Sequence, residues 1–291
     1  MRSFLVLIAG VFLFCASASG QYIRNFLINQ SAQFQPVAFS PEVSELGSSS
    51  SIANAVFKPA GAGPFPAVVI AHTCGGVNRP HIRERMRELL DAGFAVLPLD
   101  SFGPRGIASS CSGNSKQVGV GTTVLDAYAA LDHLSRLPSV DQSRIYATGY
   151  SWGAVVTPML ASPQSAVAFG STLRYRALVS NYGACSFQRS PTAPRIRFLQ
   201  NDVDRPVLML MASEDKDYKP ADCFPLLDEL KAAGKQVQWH IYPDTHHAWD
   251  HRDHRGTKVP TGWGEVNVYL YNAAATLDST KRMIEFFNVH R

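Results

Sequence analysis

The chain has 291 residues, of which 46% are hydrophobic and 17% charged, enough for one substantial core and compatible with a single folded domain. Its net charge is +4, the basic residues are scattered, and no Lys/Arg-rich run supports binding to nucleic acid. The chain opens with "MRSFLVLIAGVFLFCASASG", where Arg2 precedes an apolar run over residues 4–14 and then a group of small residues. That order predicts a secretory signal peptide over residues 1–20, cleaved after Ala18 or Gly20. The apolar run is too short for an ordinary membrane span, and no later segment is long enough for one. Cys15 lacks the small residues that a lipoprotein signal carries before its cysteine. The expected location is secreted or periplasmic.

Residues 21–50 are polar, Ser-rich and weakly patterned, and are expected to be an N-terminal extension or linker ahead of a folded domain over residues 51–291. In that domain "SIANAVFKP" predicts a strand and "GAGPFP" a turn. The runs "AVVIAH" and "FAVLPLD" predict strands buried on both faces. Between them "RPHIRERMRELLDAGF" has helical spacing and closes on Gly93. "TTVLDAYAALDHLSRLP" predicts a helix stopped by Pro138. Strand "RIYATGY" and helix "WGAVVTPMLAS" come next, then strands "YRALVSNYG" and "PVLMLMAS". Helix "ADCFPLLDELKAAGK", strand "QVQWHIYP" and a last helix covering much of "NVYLYNAAATLDSTKRMIEFFNVH" complete the chain. Short apolar strands alternating with helices imply a doubly wound, mostly parallel sheet with helices on both faces. Ligands of such sheets bind beyond the carboxyl ends of the strands, where Cys74, Asp100, Ser151, Tyr182, Asp215 and His247 stand.

Gly149-Tyr150-Ser151-Trp152-Gly153 fits G-x-S-x-G between a predicted strand and a predicted helix, the context of a nucleophile elbow. Such a turn exposes the serine and sets the next backbone N–H, that of Trp152, at a helix N-terminus, where an oxyanion is stabilised. A serine hydroxyl needs a base, and the base an orienting acid. "LMLMASEDKDYKPADC" supplies acids after a buried strand, and "IYPDTHHAWD" supplies a histidine after the next one, in the order Ser, acid, His.

Together "AHTCGG", "LPLDSFGPRG", "DAYAALDHL", "RIYATGYSWGA", "LMLMASEDKDYKPADC" and "YPDTHHAWD" resemble the dienelactone hydrolase family, within the α/β-hydrolase superfamily. The resemblance implies the α/β-hydrolase fold and hydrolysis of esters or lactones. It implies Ser151 as nucleophile and, through the neighbours "AWD", His247 rather than His246 as base. Prototype members use cysteine where this chain has Ser151, which points to a general ester hydrolase. The acid is Asp215 if the downstream cysteine keeps its register and Asp217 if the aromatic Tyr218 is matched; Asp215 is preferred, and Glu214 is weaker than either. The resemblance makes the Cys74 N–H the second oxyanion donor beside that of Trp152. It makes Arg105 a contact for an acidic substrate group, the other reading being an arginine bonded to loop carbonyls.

Four cysteines follow the leader, an even number suited to disulfides in an oxidising compartment, with three possible connectivities. Cys74 and Cys111 follow neighbouring strands, Cys185 and Cys223 the next two, and similar proteins carry cysteines at both places. The expected bridges are therefore Cys74–Cys111 and Cys185–Cys223. His247 and His251 stand four apart with Asp250, Asp253 and His254 close by, a spacing that zinc sites use. There is no H-E-x-x-H, and the segment runs from a strand into a loop, so neither metal nor cofactor is expected. The reading is an exported serine hydrolase whose partner is a small-molecule ester or lactone. Its rivals are a peptidase or acyltransferase on the same residues, and an inert hydrolase-fold binding protein.

Overall fold

A strand covered on both faces must be apolar at nearly every position, and the short runs of this chain meet that demand. The computed structural model describes residues 25–29, 31–41, 43–47, 51–111, 118–188, 192, 195–261 and 264–291; the expected leader over residues 1–20 lies outside them. Twelve strands occur among the described residues. They are β1 (Val43–Ser44), β2 (Val56–Phe57), β3 (Phe65–Ala71), β4 (Ala95–Leu99), β5 (Val140–Tyr150) and β6 (Leu178–Asn181). The second half holds β7 (Ser186–Phe187), β8 (Ile196–Arg197), β9 (Val207–Ala212), β10 (Val237–Tyr242), β11 (Arg255–Pro260) and β12 (Val266–Leu270). Eight of them form one sheet in the order β1-β2-β4-β3-β5-β6-β9-β10. Every neighbouring pair in it is parallel except β2 with β4.

Alternate residues of the central strands feed two cores. Ala67 and Val69, Ala95 and Leu97, Val207 and Met209 face one side. There they meet Val124, Ala127 and Leu131 of α2 (Val120–Ser135), Val155 and Met159 of α3 (Trp152–Met159), and Leu227 and Leu230 of α5 (Phe224–Ala232). Ala166 of the short α4 (Pro163–Ala168) joins that side. Val68 and Ile70, Val96, Leu208 and Leu210 face the other side. They pack on Ile82, Met86 and Leu89 of α1 (Pro80–Asp91) and on Met283, Phe286 and Phe287 of α6 (Ala273–Val289). The doubly wound architecture expected from the strand–helix alternation is thus present.

Two local features differ from the sequence reading, and a third sharpens it. The strand expected over "SIANAVFKP" shrinks to β2, because Asn54 adopts a left-handed φ of 53°. Its side chain pairs with the backbone of Asp100 in both directions, at 2.7 and 3.0 Å. Residues 25–47 are no loose linker: Leu27, Val37 and Leu46 are buried, and β1 extends the sheet edge. The last helix begins only at Ala273, capped by the Asn272 side chain on the Ala275 N–H. The "NVYLY" stretch before it instead enters an antiparallel hairpin of β11 and β12. Its alternation is that of a strand, with Val266 and Leu270 exposed and Asn267 fully buried.

Candidate active site

Strand β5 ends at Tyr150 and α3 begins at Trp152, so a single residue, Ser151, makes the turn. Its φ of 51° and ψ of −105° are strained for a residue with a Cβ, a state that costs about 1–3 kcal/mol and must be held by its surroundings. The surroundings are glycines. A Cβ on Gly149 would lie 2.1 Å from the Gly153 carbonyl oxygen, and one on Gly153 would lie 2.1 Å from that of Ala71. Strand, turn and helix therefore touch backbone to backbone. The Ser151 N–H donates to Asn181 O at 3.1 Å and the Gly153 N–H to His72 O at 3.0 Å, which ties the elbow to β6 and to the loop after β3. Among the described residues the backbone N–H groups of Trp152 and Cys74 have no hydrogen-bond acceptor.

The Ser151 Oγ lies 2.9 Å from His247 Nε2, and His247 Nδ1 lies 2.7 Å from Asp215 Oδ2. All three side chains are buried. The carboxylate only accepts, so Nδ1 carries the proton and Nε2 is left with its lone pair toward the serine hydroxyl. The other oxygen of Asp215 accepts the N–H groups of Asp217 and Tyr218, each at 2.9 Å, which fixes the carboxylate's orientation. Burial pulls the His247 pKa down, while the charge and hydrogen bond of Asp215 push it up, with help from Asp217 and Asp250; the net direction is upward.

Asp217 faces elsewhere. Its Oδ2 accepts from Asn267 Nδ2 at 2.8 Å and from the Tyr269 hydroxyl at 2.7 Å, both on β12. Glu214 lies 3.9 Å from Lys216. Asp215, Asp217 and His247 are the group among the described residues whose candidate ligand atoms lie within 4.8 Å of one another, and the hydrogen bonds above already occupy them. His251 and His254 form a ring stack, His81 on His251 at 3.6 Å and His251 on His254 at 4.5 Å. Burial drives His81 down to about 3 and His251 to about 4, so both rings are neutral at ordinary pH. Asp250 is buried nearby and accepts from the Tyr182 hydroxyl at 2.7 Å.

Arg105 is a correction to the expected substrate contact. Its two Nη atoms grip both oxygens of Asp126 at 2.7 and 2.9 Å and also donate to Ser101 O and Gln35 O. A buried aspartate on the inner face of α2 requires such a cation, so the Arg105 guanidinium is taken up by Asp126 and loop carbonyls. Both expected disulfides are present, Cys74–Cys111 with Cα atoms 4.9 Å apart and Cys185–Cys223 at 5.3 Å. The first ties the loop after β3 to the loop after β4, where Cys74 O also accepts from the Ser110 N–H.

Sequence reasoning passed over Asn267 and Tyr269, and used Tyr218 only as a marker of register. The rings of Tyr182, Tyr218 and Tyr269 stand 5.1, 5.6 and 5.7 Å from that of His247. The strand-like alternation before Asn272 was the signal for the first two. A cleft of about 610 Å³ opens beside these residues, lined by Trp152 and Val155 after β5, Ala184 and Cys185 after β6, and Asp217 and Tyr218 after β9.

A parallel sheet wound on both faces, with serine at the elbow after β5, an acid after β9 and histidine after β10, is an α/β-hydrolase. The profile of the dienelactone hydrolase family matches residues 52–291, and the chain belongs to that family of carboxylic ester and lactone hydrolases. A protein of Methylorubrum extorquens named a carboxymethylenebutenolidase is 27% identical over 237 residues, 79% of this chain and 74% of its own. One of the same name from Escherichia coli K12 is 25% identical, over 77% of each chain. Among solved structures, a dienelactone hydrolase from Klebsiella pneumoniae has the same fold with a TM-score of 0.60, at 22% identity, over 79% of this chain and 90% of its own. A Thermogutta terrifontis esterase gives 0.55 at 14% identity, over 80% and 88%. Among the described residues no helix is long and apolar enough to cross a membrane.

Proposed function

We propose that this protein hydrolyses a carboxylic ester or lactone through an acyl-enzyme on Ser151, with His247 as base and Asp215 as the orienting acid. The observation that carries the reading is the unbroken line of hydrogen bonds from Ser151 Oγ through the imidazole to Asp215, 2.9 and 2.7 Å long. In the first half, Ser151 Oγ bonds to the carbonyl carbon as its proton passes to His247 Nε2. Charge then develops on the carbonyl oxygen, where the free N–H groups of Trp152 and Cys74 are available to it. The tetrahedral adduct collapses, the C–O bond to the alcohol breaks, and the imidazolium returns the proton to that oxygen. In a lactone the alcohol stays tethered to the acyl group. A water deprotonated by Nε2 then attacks the acyl carbon, and Ser151 leaves with the proton.

Asp215 stabilises the imidazolium formed twice per cycle. Asp217 is not the acid in this reading, since Asn267 and Tyr269 hold its carboxylate. The lactone alternative draws on the name of the relatives, the ester alternative on the serine nucleophile. Export through a leader over residues 1–20 belongs to the same reading, and the two disulfides support it. Ser151→Ala is expected to lower turnover of p-nitrophenyl acetate by on the order of 10⁴ to 10⁶ while the far-UV spectrum stays unchanged. A fluorophosphonate should add its mass to the Ser151 peptide of the parent alone. Turnover near the parent rate in the alanine variant would overturn the assignment.

A further inference from the structure

Resting on that reading, we propose that the cleft beside Ser151 receives the larger arm of a neutral ester, an aryl or medium-chain alkyl group, rather than an acid-bearing small lactone. Its volume of about 610 Å³ falls in the range of sites that enclose drug-sized ligands, and a single small ring would leave most of it empty. Val120, Trp152, Val155, Ala184, Phe198 and Tyr218 give it an apolar wall. Trp152 follows Ser151 directly and the Tyr218 ring lies 5.6 Å from that of His247, so two residues of the wall are neighbours of the reacting pair, although Ser151 and His247 are not themselves part of the lining.

The charges on the rim argue against an anionic arm. Lys219 pairs with Glu265 at 2.9 Å, and Lys216 lies 3.9 Å from Glu214. Arg195 donates to Ser186 Oγ and Gln188 Oε1, at 3.1 and 3.0 Å, and shares the wall with Asp217 and Asp222. Lys219 and Lys216 therefore have carboxylates at hand, and Arg195 has its donors on a hydroxyl and an amide oxygen, so none of the three is turned toward the cleft as a ready partner that would offset the desolvation of a substrate acid. Arg105, the residue expected to recognise such an acid, spends its guanidinium on Asp126. The wall is also preformed. Cys185 and Cys223 both line it, and their bridge joins the loop after β6 to the turn before α5, so the two sides cannot part to suit a different guest.

The test uses two ester series on the intact protein. In one, p-nitrophenyl esters run from acetate through butyrate and hexanoate to octanoate. In the other, acetates run from ethyl through phenyl to 2-naphthyl. Each methylene that leaves water is worth about fourfold, so a series in which three or four of the added methylenes enter the cleft should rise in kcat/KM by on the order of a hundredfold. The p-nitrophenyl ester of succinate, with a free carboxylate, should fall about tenfold or more below the neutral valerate ester of similar length. Ser186→Trp, which sets an indole into the cleft, should cut the gain with length to less than about tenfold.

Ser151-dependent acetate hydrolysis with two flat series, or a preference for the succinate ester, overturns the cleft assignment and leaves the hydrolytic reading standing. A protein that turns over none of these esters overturns the hydrolytic reading instead. The cleft is then decided by binding: the Ser151→Ala protein should bind the neutral fluorophore N-phenyl-1-naphthylamine saturably and lose that binding when Ser186→Trp is added. Absence of saturable binding overturns the proposal.

Discussion

Two sides of this site steady the same imidazole by different means. On the elbow side backbone meets backbone: the positions of a Cβ on Gly149 and Gly153 fall 2.1 Å from carbonyl oxygens, so the turn has no slack. On the hairpin side, side chains do the holding. Asn267 and Tyr269 reach from β12 to Asp217, and the Tyr269 ring lies 5.7 Å from that of His247. A backbone contact cannot rotate away from an intruding atom, whereas a hydrogen-bonded side chain can be exchanged for another. The elbow should therefore fail all at once and the hairpin by degrees. Between them stands Asp215, fixed by two backbone N–H groups, and its loss is felt on both sides.

The largest effect expected here is at Asp215. Asp215→Asn presents an amide where the imidazole Nδ1–H needs an acceptor, and should lower kcat for p-nitrophenyl acetate by about 10⁴ with the fold intact. Comparable, mild losses in Asp215→Asn and Asp217→Asn, measured side by side, would erase the distinction drawn between the two carboxylates.

Next comes Gly153→Ala, which adds one methyl where Ala71 O leaves 2.1 Å. Overpacking against backbone should cost about 3 kcal/mol, read as a lower midpoint in urea with an unchanged slope. A variant as stable as the parent would mean that the elbow has room for the added methyl.

The smallest effect is expected on the hairpin side, and it concerns pH. The base works neutral, so rate climbs as pH passes the His247 pKa. Burial lowers that pKa, but Asp215, Asp217 and Asp250 together carry it above the ordinary 6.5, which puts the acidic limb of kcat/KM above pH 6.5. Asp217→Asn removes one of the upward pushes, so the limb should move to lower pH while the plateau changes by less than about tenfold. A limb that stays in place, or moves up, would show that Asp217 does not act on the imidazole.

The same contrast explains what could be read from the sequence. Close backbone approach demands glycine at fixed offsets, and "GYSWG" states that demand in the primary structure. The buried strands β3, β4 and β9 are legible for a related reason, since they are apolar at every position. A side-chain network leaves no such trace. Asp215 and Asp217 follow the same strand, and only the turn that offers two N–H groups to Asp215 separates them. Asn267 and Tyr269 were hidden because "NVYLY" runs into an alanine-rich helix, and only the Asn272 cap marks the boundary. For Arg105 a hint existed: Asp126 sits among Val124, Ala127 and Leu131 on a buried helix face, and a carboxylate there must have a cation. Residues 25–47 escaped notice because Leu27, Val37 and Leu46 are too far apart to make a period.

That last segment has a practical meaning for anyone deciding where to cut the gene. The family match begins at residue 52, and a protein trimmed there would lose more than a tail. The Val37 N–H donates to Asp126 Oδ1 at 3.0 Å, and Gln35 O accepts from Arg105 at 2.8 Å. Phe34 covers the same guanidinium, 5.0 Å from its ring centre. Without these residues the buried ion pair under the loop after β4 would keep its charges and lose part of its solvation, and the apolar surface beneath Leu27 and Val37 would be laid bare. The boundary at which relatives stop resembling one another is not the boundary at which this chain stops depending on itself.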